Sequence, residues 1–218
     1  MLVGHFAAGL VAKRIVPQLS LGTAVLAAML ADLLAFPLVL LGIEHFRLQP
    51  GAQHNRLVGD SIAYSHGLLM DAIWAGLFAA TYFLLQRSAR AAWVLFGAVL
   101  SHWLLDAVSH RPDMPLAPGA GAAFGLGLWN SIPATVVVEG GLWLAAITLY
   151  VRGTSPGTRL ESWIFWGWIA LLTLAWWGNI VATPVQDLGP AAAAGSLAFF
   201  GCLVAWAFWV NRLRPARA

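Results

Sequence analysis

A chain of 218 residues that is 60% hydrophobic and only 10% charged, with a formal net charge of +3, cannot cover a water-facing surface, because soluble globular domains carry roughly 25% charged residues. Its mean hydropathy of +0.77 places it instead among polytopic helical membrane proteins, with no length left for a sizeable soluble domain. The basic excess is not a nucleic-acid footprint, since Lys and Arg sit in short loops between apolar runs, and the single cysteine, Cys202, excludes an internal disulfide or a cysteine metal cluster.

In chain order, the apolar runs predict helices over 2–16, 20–44, 61–86, 91–110, 124–151, 161–182 and 190–211. A helix needs about 20 apolar residues to cross a bilayer, so the expectation is an all-α membrane bundle with about six or seven transmembrane helices. The first run is short. It carries no Lys or Arg before Lys13-Arg14 and reads as a retained helix rather than a cleaved signal. The breaks fall at Pro17, Gln49-Pro50-Gly51, residues 87–90, Arg111-Pro112, residues 153–157 and Thr183-Pro184, where turn chemistry expects them.

Counting basic residues on alternate sides sets an orientation. Lys13, Arg14, Arg87, Arg90, Arg152, Arg159, Arg212, Arg214 and Arg217 collect on one side, and only Arg47, Arg56 and Arg111 on the other. By the positive-inside rule the C-terminus is cytoplasmic, and the membrane is expected to be a bacterial-type plasma or inner membrane. The chain reads as one membrane domain, 1–218, whose halves differ in character. All six histidines lie before residue 120, whereas the last two helices carry Trp163, Trp166, Trp168, Trp176, Trp177, Trp206 and Trp209 and almost no ionisable group. Those tryptophans read as interfacial belts and helix packing, residues 121–218 as scaffold, and the chemistry as belonging to the first five helices.

Ionisable side chains inside a membrane are costly, so they usually face the bundle interior and act there. The fourth helix carries His102, Asp106 and His110 at i, i+4 and i+8, which places them on one face. Two imidazoles and a carboxylate form a nitrogen/oxygen set that zinc and similar divalent ions accept, and Asp113 is placed to ligate or to orient His110. The third helix holds Ser65-His66-Gly67-Leu68-Leu69, with Asp71 five residues after His66 and on another face. His5 lies at the start of the first segment, and Asp32 lies mid-span in the second. The predicted topology puts His5, His66, His102, Asp106 and His110 at one depth, near the external leaflet. Glu139 is mid-span and expected to be protonated, or bonded to Asn130 or a main-chain carbonyl. Glu44, His45 and His54 read as a solvated external loop, and 125–131 as part of a pocket mouth.

The order Gly4-His5, Asp32, Ser65-His66-Gly67-Leu68-Leu69 and Ser101-His102-Trp103-Leu104-Leu105-Asp106 resembles the LexA-regulated, membrane-bound metal-dependent hydrolase family, which is related to zinc-dependent phospholipases C. The resemblance covers residues 1–120. It implies a divalent metal, zinc first and manganese or iron next, held by His5, Asp32, His66, His102 and Asp106, and hydrolysis of a phosphoester or lipid-like substrate. Two phrases depart from the family pattern. Ala31-Asp32-Leu33-Leu34 stands for Pro-Asp-x-Asp, and Tyr64-Ser65-His66-Gly67 for a longer phrase with a second histidine. His110 and Asp113 are the residues available to compensate. Three functions remain open at this point: a membrane-embedded metal hydrolase near the outer leaflet, with Asp32 as ligand or general base; a metal or proton carrier using the same residues; and a non-catalytic scaffold braced by histidines. No nucleic-acid partner is expected.

Overall fold

Runs that are apolar on every face fold as helices here, and polar main-chain segments cluster at one end of the resulting bundle. The computed structural model describes residues 1–48, 57–181 and 189–214. Among them are α1 (Leu2–Ile15), α2 (Leu21–Ala28), α3 (Leu30–Leu40), α4 (Leu68–Gln86), α5 (Ala89–Ser109), α6 (Ile132–Arg152), α7 (Arg159–Val181) and α8 (Pro190–Leu213). Two short antiparallel pairs accompany them: β1 (His45–Leu48) with β2 (Leu57–Ser61), and β3 (Met114–Pro115) with β4 (Ala123–Phe124). The expected breaks at Gln49-Pro50-Gly51 and Thr183-Pro184, and the residues His54, Arg56 and Arg217, lie outside the described residues.

The all-α membrane bundle read from the sequence is the observed fold, and the chain is an integral membrane protein. Helices α4 to α8 are each long and apolar enough to cross a bilayer, and α2 with α3, bent by 56° at their break, meet the same measure of length and apolarity only as a pair. Helix α1, at 14 residues, reaches about 21 Å, short of the ~30 Å hydrocarbon core. It lies at the centre, buried on most of its surface and packed against α2, α5, α6 and α7. One core cluster joins Phe6 and Leu10 of α1 to Val25 of α2, Trp143 of α6, Trp168 of α7 and Leu203 of α8. The Trp-rich helices thus share a core with the first half of the chain. Trp168 is fully enclosed whereas Trp163, Trp177 and Trp209 are exposed, which divides the tryptophans between interior packing and the outer surface.

Three predicted segments differ from those observed. The run 20–44 is not one helix but α2 and α3, parted at Met29, and it ends at Leu40. Neither glycine nor proline marks that break, so composition does not show it. The run 61–86 becomes helical only at Leu68. The N–H groups of Tyr64 and Ser65 instead donate to the Glu44 carboxylate at 2.9 and 2.8 Å, which takes the place of a helical turn. The run 124–151 starts at Ile132, where the Ser131 hydroxyl accepts from Ala134 N and Pro133 occupies the first turn, both ordinary start signals. Upstream of it, Leu126 N and Gly127 N donate to the carbonyls of Ala107 and His110 at 2.8 and 2.7 Å. The loop thereby satisfies acceptors that the end of α5 leaves open. Gly125 is required for this approach, because a Cβ there would overlap the Arg111 carbonyl.

Between helices in lipid, close packing contributes more than the hydrophobic effect. A Cβ on Gly9 would lie 2.9 Å from Val25 Cα, so α1 and α2 cross at backbone contact. Gly9→Ala adds helix propensity of up to about 1 kcal/mol, but overpacking costs about 1–3 kcal/mol and wins. The Tm of Gly9→Ala in detergent is expected to fall below wild type, while Gly76→Ala, where the added Cβ meets open space, is expected to match or exceed it. Equal Tm values for the two variants would contradict the close crossing.

The bundle has chemically different ends. Lys13 and Arg14 close α1 and Arg152 closes α6. Arg90 donates to the Ile15 carbonyl at 3.0 Å, and Arg214 Nε to Thr154 Oγ1 at 3.1 Å. The opposite end holds the start of α1, the end of α5, the turn before α4 and the start of α6, with the histidines and acids.

Candidate metal centre

At that opposite end the sequence-predicted residues converge. His5 comes from the first turns of α1, Asp32 from α3 just past the break, and His66 from the turn before α4. His102 and Asp106 come from successive turns of α5, and His110 from its C-terminal cap. The expectation that His66 lies within a helix is therefore corrected: it sits on the turn that Glu44 holds. Asp106 is the hub. Its Oδ1 lies 3.1 Å from His5 Nε2, and its Oδ2 lies 3.3, 3.9 and 4.0 Å from the Nε2 atoms of His102, His66 and His110. Asp32 Oδ1 lies 3.5 Å from His66 Nε2 and 3.8 Å from His102 Nε2. The rings of His5 and His102 stack at 3.7 Å, with His66 edge-on to His102 at 5.2 Å.

The outer nitrogens of three imidazoles are tied to oxygen acceptors. His102 Nδ1 lies 2.8 Å from the Ala28 carbonyl, at the α2–α3 break, where helix termination opens main-chain acceptors. His110 Nδ1 lies 3.1 Å from Asp113 Oδ1, as its spacing suggested. His66 Nδ1 lies 2.7 Å from Ser65 Oγ, whose hydroxyl donates to Glu44 Oε2 at 2.5 Å and so accepts from the imidazole. Each of these contacts assigns the ring proton to Nδ1 and leaves the Nε2 lone pair aimed inward.

Inward lone pairs facing carboxylate oxygens repel unless a proton or a cation stands among them, and at Asp106 Oδ1 and His5 Nε2 that cation is the Met1 α-amino group. The Nε2 of His102 is buried with no hydrogen-bond partner, as is His5 Nδ1, and buried polar atoms without partners are rare. Ligand atoms of His5, Asp32 and His102, and separately those of His66, His102 and Asp106, lie within 4.8 Å of one another. Both groups fit a metal ion by geometry and by donor chemistry, and His102 belongs to both. The outer contacts of Ala28, Ser65 and Asp113 are those that orient metal-ligating histidines.

Not every sequence reading survives. Glu44 is not solvated: it is fully buried and accepts three hydrogen bonds from Tyr64 and Ser65. His45 beside it is exposed. Glu139 is not bonded to Asn130, which accepts from Arg111 Nε at 3.0 Å. Instead Glu139 Oε1 accepts from Gly4 N at 3.3 Å, satisfying a first-turn N–H of α1 that the helix cannot. Asp71 is buried but belongs to neither ligand group. The α-amino group of Met1, which has no side-chain signature, lies against Asp106 Oδ1 and 3.0 Å from His5 Nε2. Trp129 packs on the His110 ring at 4.3 Å, so the 125–131 segment does reach the site.

A cavity of about 350 Å³ opens onto the cluster. Besides His5, Asp32, His66, Asp106, His110 and Trp129, its lining includes Ala175 and Asn179 of α7 and Ser196, Phe199 and Phe200 of α8. The cavity wall thus includes α7 and α8 from the half read as scaffold, while the ionisable side chains lining it come from the first five predicted helices. The Asp32 side chain is 25% exposed and that of Asp106 3%, so Asp32 is the more accessible of the two carboxylates lining the cavity. Comparison with protein-family models, with curated proteins and with solved structures finds no match to this chain.

Proposed function

We propose that the chain is a membrane-embedded, metal-dependent hydrolase acting on a phosphoester carried by a lipid-like molecule. The observation that supports it most is the convergence of four Nε2 atoms on two carboxylates, with three of the imidazoles oriented from behind by oxygen acceptors. The mixed nitrogen/oxygen donor set suits zinc first, with manganese or iron as alternatives. When bound, such an ion supplies a water of lowered pKa, near ~7 for zinc, and polarises a phosphoryl oxygen.

The chain's own residues then divide the work. Enclosed Asp106 and His102 hold position. Asp32, open to the cavity, accepts a proton from the attacking water as general base, and His66 Nε2, 3.5 Å from Asp32 Oδ1, would offer its lone pair to the bound ion. With the basic end toward the cytoplasm, as the positive-inside rule places it, the site faces the outer leaflet and the C-terminus is inside.

A carrier reading has less support. Deeper in the bundle α1 is surrounded by the apolar cluster around Phe6, Leu10 and Trp143, and the mid-span acid Glu139 is engaged at the α1 terminus. The test is hydrolysis of a phosphodiester by protein purified in detergent and loaded in turn with zinc, manganese and iron. Turnover that is lost with chelator and restored by metal is expected. Absence of turnover at full metal occupancy with both soluble and lipid phosphoesters would overturn the reading.

A further inference from the structure

The cavity is chemically two-ended. One end is the His/Asp cluster. The other is a wall from α3, α7 and α8 made of Phe36, Ala175, Phe199 and Phe200, with the Asn179 amide and the Ser196 hydroxyl its polar side chains on α7 and α8. Phe36 and Phe200 stack at 5.7 Å, and Phe199 sits edge-on to Phe200 at 5.5 Å, so the aromatic wall is continuous from α3 to α8. A volume of about 350 Å³ lies within the ~300–1,000 Å³ typical of small-molecule sites. It exceeds what a phosphate group bound at the cluster would fill.

We propose that this wall seats the hydrocarbon chain of the substrate, so that the site selects phosphoesters bearing an alkyl or acyl chain. Ala175 and Ser196 set the room for that chain. The proposal rests on the hydrolase reading for the identity of the head group. A soluble phosphoester would leave the aromatic wall unused, and a purely apolar molecule would make no use of the cluster. An amphiphile satisfies both ends, and it is the kind of molecule a membrane-embedded site meets.

The test uses binding, so it does not depend on turnover. Methylphosphonate and hexylphosphonate, which are not hydrolysed, are titrated into metal-loaded protein in lipid nanodiscs by calorimetry. Each buried methylene contributes about fourfold in affinity, so hexylphosphonate is expected to bind wild type at least tenfold more tightly than methylphosphonate. Ala175→Phe on α7 and Ser196→Phe on α8 are each expected to reduce that preference below threefold while changing methylphosphonate affinity less than twofold.

Equal affinity of wild type for the two phosphonates overturns the chain site while leaving the hydrolase reading standing. Chain-length preference without any turnover supports the chain site and removes the hydrolase reading. Failure to bind either phosphonate, in protein shown to hold metal, overturns both. Because the wild-type comparison needs no variant, misfolding of one substitution does not decide the outcome.

Discussion

Replacing His102 with alanine is expected to lower bound divalent metal to under one-tenth of the wild-type content and to abolish metal-dependent hydrolysis. His102 is the residue common to both ligand groups. Its Nε2 stands between Asp32 Oδ1 at 3.8 Å and Asp106 Oδ2 at 3.3 Å, so its loss removes a ligand from each group at once. It also removes the ring that stacks on His5 and the donor to Ala28 at the α2–α3 break. The measurement is elemental analysis of purified protein, with circular dichroism to show that the helices persist. His45→Ala, which changes an exposed imidazole on β1, is the matched control and is expected to keep its metal. Wild-type metal content in folded His102→Ala would remove the cluster from consideration as a metal centre.

Ser65→Ala is expected to weaken metal binding by about 10- to 100-fold, the usual range when a contact orienting a ligating histidine is lost. The hydroxyl links Glu44 to His66 through contacts of 2.5 and 2.7 Å. It is what assigns the His66 proton to Nδ1 and frees Nε2 toward Asp32 and Asp106. Glu44→Ala reaches further. It leaves the buried N–H of Ser65 without its acceptor, at about 1–3 kcal/mol for a buried group so orphaned, and removes the acceptor of the half-buried Tyr64 N–H as well. Its effect on metal affinity is therefore expected to come with a lower Tm, whereas Ser65→Ala changes affinity with little change in Tm. Glu44→Gln keeps one acceptor oxygen and is expected to fall between wild type and Glu44→Ala. Metal titration followed by the dissociation constant, beside thermal unfolding in detergent, separates these effects. An unchanged dissociation constant in Ser65→Ala would show that the Ser65 contact has no orienting role.

The legible part of the site is the part whose geometry is local. His102, Asp106 and His110 share one face because helical periodicity alone dictates it, and His110 and Asp113 meet across three residues of chain. Their burial also follows from composition, since an ionisable side chain in an apolar helix of a membrane protein turns inward. His5, Asp32 and His66 were reachable only through a common depth in the predicted topology and through the order of motifs. Glu44 was misjudged because its burial comes with the turn 62–67 folding against it, where Tyr64 and Ser65 donate to its carboxylate. No local property of the sequence around Glu44 encodes that packing. The α7 and α8 contribution was likewise hidden: Ala175, Ser196 and Phe200 look like ordinary lipid-facing or packing residues until α3 and α8 are seen side by side.

By itself the sequence determined the class of the protein and the ends of its bundle. Length, apolar content and the placement of Lys and Arg are additive properties, and the membrane reads them span by span. It also pointed to one shared depth for His5, His66, His102, Asp106 and His110, while it left Asp32 mid-span. Only the tertiary structure decided that α1 is a buried central helix, that the predicted second helix breaks at Met29 and presents the Ala28 carbonyl to His102, and that Glu44 is linked to His66 through Ser65. Those features rest on close contacts between segments distant in sequence, such as Gly9 against Val25 and Gly4 against Glu139. Contacts of that kind depend on how helices cross, which hydrophobic periodicity does not specify.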